Sequence, residues 1–222
     1  ASLTHQVVPF DGQSDNFVYR AGPLSGKFVF KNAKSLNAPY EITSIPYSPI
    51  KISVNSTFTA FTIVDLDGTT HIFDKVEQTT VTDRYTSIPT TWYLTLTISP
   101  DKSDTIKFTY TAPVYVTTAT GTNTLSERQC TALSPPITAT RSGSFSLHAS
   151  VNIASIVYNN GKVTFDYSTR LDSDANRLTA IHIFQKNAGA YSEIKRYTFN
   201  HSYFTASAGQ SSQVGGWVSA SQ

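Results

Sequence analysis

Apolar and hydroxyl-bearing residues take turns along much of this chain. Thr57, Thr59 and Thr62 interleave with Phe58, Ala60, Phe61 and Ile63; Thr95 and Thr97 interleave with Leu94, Leu96 and Ile98; Thr105 and Thr109 interleave with Ile106, Phe108 and Tyr110. An extended strand sends successive side chains to opposite faces, so a two-residue period gives one face to a core and the other to water. No window sustains the i, i+3, i+4, i+7 stripe of an amphipathic helix. The expectation is therefore an all-β fold: an antiparallel β-sandwich, jelly-roll or Ig-like, of about a dozen strands with no substantial helix.

Turn signals divide the strands. Asp65, Leu66, Asp67 and Gly68 read as a hairpin turn, because Asp-Gly supplies the positive φ of a tight reversal. Residues 100–104 read as a polar turn between strands 92–98 and 105–110. Asn159, Asn160 and Gly161 close the alternating segment 145–158, bent or bulged near Ser150, into 162–168. A last hairpin is expected from 178–184 and 191–199 about the turn 186–189. Three prolines in 39–49 confine that stretch to a loop or a sheet edge, since proline lacks an amide donor.

Two stretches depart from the pattern. Residues 119–143 are poor in large apolar side chains and contain Gly121, Pro135 and Pro136, which reads as one long loop. Residues 206–222 form a Ser- and Gly-rich tail with a single large aromatic, Trp217, expected to dock on the body or on a neighbouring subunit. The domain reading is one β-sandwich over 1–222; the alternative is two β units, 1–118 and 144–222, with the 119–143 stretch as linker.

Charge narrows the functional classes. Seventeen Lys and Arg against 15 Asp and Glu leave a net charge of +2, and the basic residues are scattered. A nucleic-acid footprint wants them clustered, so no nucleic-acid partner is expected. Charged residues are only 14% of the chain, and Ser and Thr carry the polarity instead. Cys130 is the sole cysteine, so no intrachain disulfide forms. No apolar run approaches the ~18 residues of a membrane helix, and a membrane partner is not expected. The compartment stays open between cytosolic and secreted.

The common catalytic signatures are absent: no nucleophile elbow, no phosphate loop, no dinucleotide fingerprint, no zinc-protease helix. The five histidines stand apart in sequence. Asp166 and Glu193 are among the few acids inside predicted strands, where a glycosidase pair would have to be built, but spacing alone does not pair them. No catalytic residue, metal or cofactor is expected, and the chain reads as non-enzymatic. Asp172, Asp174 and Asn176 alternate like the opening of a calcium loop, but Arg177 stands where the turn glycine belongs, and a solvated binding loop fits better. Tyr47, Tyr85, Tyr203 and Trp217 fall outside the regular strands, as aromatics that stack on sugar rings do. With Asp172, Asp174 and Asn176 they form the candidate ligand-binding set.

Three functional expectations follow. The first is a lectin-like recognition module whose partner is a neutral glycan, since neutral ligands need no electrostatic field. The second is a structural assembly subunit, a capsid, spike or filament protein, with copies of itself as partner; in either case a homo-oligomer is expected. The third is a β pore-forming toxin with its hairpin in 106–124.

Overall fold

A computed structural model describes residues 16–31, 40–81, 86–126 and 138–203. Fourteen strands follow one another: β1 (Phe17–Ala21), β2 (Leu24–Phe30), β3 (Ile42–Ile45), β4 (Lys51–Val54), β5 (Phe61–Val64), β6 (Thr70–Val81), β7 (Thr86–Ile98), β8 (Thr105–Tyr110), β9 (Val114–Ser126), β10 (Thr138–Ser150), β11 (Ile153–Tyr158), β12 (Gly161–Thr169), β13 (Asn176–Asn187) and β14 (Ala190–Thr198). Every pairing is antiparallel, and no helix occurs among the described residues. The all-β antiparallel class expected from the alternation is the class observed.

The strands form two sheets. The small one runs β1-β2-β3; the large one has 11 strands, in the order β14-β13-β12-β11-β8-β7-β6-β10-β9, with β5 and β4 branching from β6. β5 pairs with one end of β6, Thr70–Phe73, and β10 with the other, Thr79–Val81. Strands from both halves of the sequence thus interleave in one sheet, because β11 pairs with β8 and β10 with β6.

The core lies where the small sheet meets β5–β7. Tyr19, Ala21, Phe28 and Phe30 of the small sheet bury against Phe61, Ile63 and Phe73 of the large one. The rings interlock: Phe17 stacks on Phe28 with centroids 5.0 Å apart, Phe28 approaches Phe61 at 5.8 Å, and Phe61 meets Trp92 edge-on at 4.9 Å. Offset and edge-on contacts of this kind add about 0.5–1.5 kcal/mol per pair to the burial of the rings.

Turn chemistry fixes the hairpins. Gly68 takes φ 89°, closing β5 onto β6. The Asp101 carboxylate accepts the hydroxyls of Ser99 (2.6 Å) and Ser103 (2.7 Å), which hold the β7–β8 turn and keep its pKa down at about 2. Ala188 and Gly189 both take positive φ, 49° and 86°, the type I′ pattern that matches strand twist.

Three expectations are corrected. Residues 119–143 are not one loop: 119–126 complete β9 and 138–143 begin β10, paired from Ser126↔Thr138 to Ala119↔Phe145. Their faces carry mostly Thr, Ser, Ala and Gly, so no apolar period announced them, yet β-branched Thr suits a pleat. The pore hairpin read into 106–124 is not a hairpin either: β8 pairs with β7 and β11, whereas β9 pairs with β10. The segment 145–158 is two strands, β10 and β11, separated at Val151 and Asn152. The tail 206–222 and Cys130 lie outside the described residues.

Candidate functional site

Five of the expected ligand residues fall within the described structure; Tyr85 and Trp217 lie outside it. Tyr47 sits in the β3–β4 connection after the cis Ile45–Pro46 bond, 81% exposed, above a small pocket of about 270 Å³. Asp172, Asp174 and Asn176 lie together with Tyr203 around the β12–β13 loop. There the Asp172 carboxylate is committed to the Arg170 guanidinium, Nε to Oδ1 at 2.8 Å and NH2 to Oδ2 at 2.7 Å, which holds it below the usual carboxylate range. The Tyr203 hydroxyl accepts the Leu171 amide at 3.1 Å, and the Arg177 guanidinium covers its ring at 5.7 Å. The loop therefore spends its acid and its aromatic face internally. No contact joins Tyr47 to this loop among the described residues.

Register brings together three residues that spacing left apart. His182 on β13 places Nε2 3.0 Å from Asp166 Oδ2 on β12, and Nδ1 3.3 Å from Glu193 Oε2 on β14. Phe184 stacks beside His182 at 6.3 Å, and Lys162 Nζ lies 4.7 Å from the Phe184 centroid and 4.6 Å from that of Tyr191. These contacts tie β12, β13 and β14 together, and the exposed Arg196 stands opposite His182 on the same face.

The opposite face is different. Cross-strand partners share a face, so the face can be traced outward from the core: Ile63↔His71↔Thr97↔Ile106. Two residues along β8 is Phe108, on the same side, and the trace continues Phe108↔Ile156↔Val163↔Ile183. Phe165↔Ile181↔Tyr197 runs beside it. Ile63, under the small sheet, is 1% exposed; Ile106 is 38% exposed and Tyr197 43%. Phe108, Ile156, Val163, Phe165, Ile181 and Ile183 are only half-buried, and none belongs to the buried cluster. The core face thus continues past its cover as an apolar strip over five strands.

Between the cover and this strip lies a cleft of about 750 Å³, lined by Phe17, Tyr19, Phe61, Trp92, Tyr93 and Tyr110 among others. Its polar groups point into the sheet. Tyr93 donates its hydroxyl to Glu77 Oε2 at 2.5 Å, and Tyr110 donates to the Leu94 carbonyl at 2.6 Å. Burial raises both phenols, that of Tyr110 to about 12 and that of Tyr93 further, with the Glu77 bond adding to the burial of Tyr93. Neither ionises near neutrality, so the aromatic floor of the cleft is uncharged, and Arg20 supplies a cation to its lining. The cleft exists because the small sheet stops short, which no local pattern announces.

No family model, curated protein or solved structure matches this chain.

Proposed function

We propose that this protein is a non-enzymatic structural subunit that assembles with copies of itself, burying the exposed part of its core face. The observation that carries the reading is the apolar strip from Ile106 and Phe108 through Ile156 and Val163 to Ile183, which the polar pair His71 and Thr97 separates from Ile63. A strip of five strands ~4.8 Å apart, roughly six to nine residues long at ~3.4 Å each, covers roughly 500–700 Å². The upper end is near the ~800 Å² per partner of a stable interface. A monomer would leave this patch in water, beyond the few hundred Å² that single-chain soluble proteins usually expose. Copies seated on it would gain the apolar burial that the small sheet provides only over β5–β7.

Sedimentation velocity tests the reading. The chain is expected to run as a dimer or larger species, and a Phe165→Glu, Ile181→Glu double variant to dissociate while keeping its β-type circular dichroism. A wild-type monomer at about 100 µM, far above the Kd of a stable interface, would sink it.

A second reading, recognition of a glycan, draws support from the aromatic cleft around Trp92, whose lining also holds Arg20. A glycan array read through tryptophan fluorescence tests it; a flat response across neutral and acidic sugars counts against it.

A further inference from the structure

Besides the β4 branch, the main path of the large sheet ends in two edge strands of unlike chemistry. β14 carries Glu193, Lys195 and Arg196 within nine residues, and its ladder shifts register at Ile183/Phe184. Charges and bulges are what blunt an edge against further pairing. β9, at the other end, has 13 residues without Asp, Glu, Lys, Arg or Pro. Its ladder with β10 runs from Val114↔Ser150 to Ser126↔Thr138 with no register shift. Among the described residues, the outer side of β9 is therefore a long row of unpaired backbone donors and acceptors with none of the usual protection.

That edge also projects. β10 reaches β6 only at Ser146, Leu147 and His148. From Ala119↔Phe145 outward to Ser126↔Thr138, the two strands have no third neighbour among the described residues. At ~3.4 Å per residue, this two-stranded ribbon extends about 27 Å past the sheet. A lone two-stranded ribbon is marginal in water. This one is weaker than most, because Gly121 faces Gly143 with no side-chain contact to share, and apolar residues are few.

We infer that the free edge of β9 pairs antiparallel with β9 of a second copy, merging two ribbons into a four-stranded sheet across a two-fold axis. The inference rests on the self-assembly proposed above and adds a second seam, at the opposite end of the sheet from the apolar strip. A second copy fits this edge because an uncharged strand meets itself with no like-charge contact in any register. Opposed threonines also make favourable cross-strand pairs. A two-fold pairing closes on itself and leaves neither β9 edge free.

Charge-swapped variants test the seam. A Thr118→Lys, Thr120→Lys, Thr122→Lys chain places like charges opposite one another across the axis, and a Thr118→Glu, Thr120→Glu, Thr122→Glu chain does the same with the opposite sign. Each alone is expected to associate at least about tenfold more weakly than wild type by sedimentation equilibrium, and an equimolar mixture to recover a one-to-one complex. Recovery on mixing also shows that both variants fold. If wild type associates and the lysine chain associates equally well, or if mixing restores nothing, the seam lies elsewhere and the assembly reading stands. A wild type that is monomeric overturns both.

Discussion

Gly161 lies against the carbonyl oxygen of Phe184 so closely that a β-carbon added to it would sit 2.4 Å from that oxygen and 2.8 Å from the Tyr158 hydroxyl. Gly161 opens β12 immediately after the Asn159–Asn160 turn and is itself buried, with β13 alongside. A carbonyl fixed in a sheet ladder cannot swing aside as a side chain can. Gly161→Ala is expected to cost about 1–3 kcal/mol, in the range of overpacking. Urea unfolding measures it, and an unchanged midpoint would mean that the β12–β13 ladder gives way more easily than these contacts imply.

Tyr110 anchors the floor of the aromatic cleft to β7. Its hydroxyl satisfies the Leu94 carbonyl, and its ring lies 5.2 Å from Tyr93. Tyr110→Phe keeps the ring and removes the donor, so the loss should be about 1 kcal/mol, the worth of one partly buried hydrogen bond. In an alkaline absorbance titration, Tyr93 and Tyr110 should ionise only above the ordinary tyrosine value of 10.0. Ionisation of these two at the ordinary value would contradict their burial.

His71 should give stability a pH slope of known sign. It is buried beside Ile63 and bonds Thr97 Oγ1 at 3.1 Å; burial lowers its pKa below 6.5, partly offset by Asp65 and Asp67. The unfolded chain therefore takes up this proton first. The contribution is fully present above about 6.5 and is lost as pH falls below it toward the depressed folded value. His71→Gln should flatten this part of the profile. An unfolding midpoint whose pH dependence is the same in both proteins would refute the assignment.

Ala188 occupies the left-handed region at φ 49°, followed by Gly189 at φ 86°. A β-carbon is disfavoured there, and Asn or Gly is the usual occupant of this turn position. Ala188→Asn should stabilise the β13–β14 hairpin by about 0.5–1 kcal/mol, seen as a higher thermal midpoint. A lower midpoint would show that the turn adopts another geometry in solution.

The strands and turns with strong local chemistry were readable beforehand. Asp67-Gly68, Asn160-Gly161 and the polar run at 100–104 each stand at an observed hairpin. The β9–β10 ribbon was not readable, because Thr, Ser and Gly on both faces produce no apolar period for a strand to display. The site was less legible still. Asp166, His182 and Glu193 are 27 residues apart from first to last. They meet only because β12, β13 and β14 lie side by side in a particular register.

The sequence by itself determined the class of structure and the places where the chain reverses. Alternation and turn chemistry act between residues a few positions apart, and a single chain displays both in its order. Tertiary structure alone decided which strands are neighbours, that the small sheet covers one end of the core face, and that among the described residues this face runs on uncovered to β13. Those outcomes depend on pairings between distant segments. A β-strand's hydrogen-bonding groups are alike along its length, so its order of residues says that it will pair but not with what.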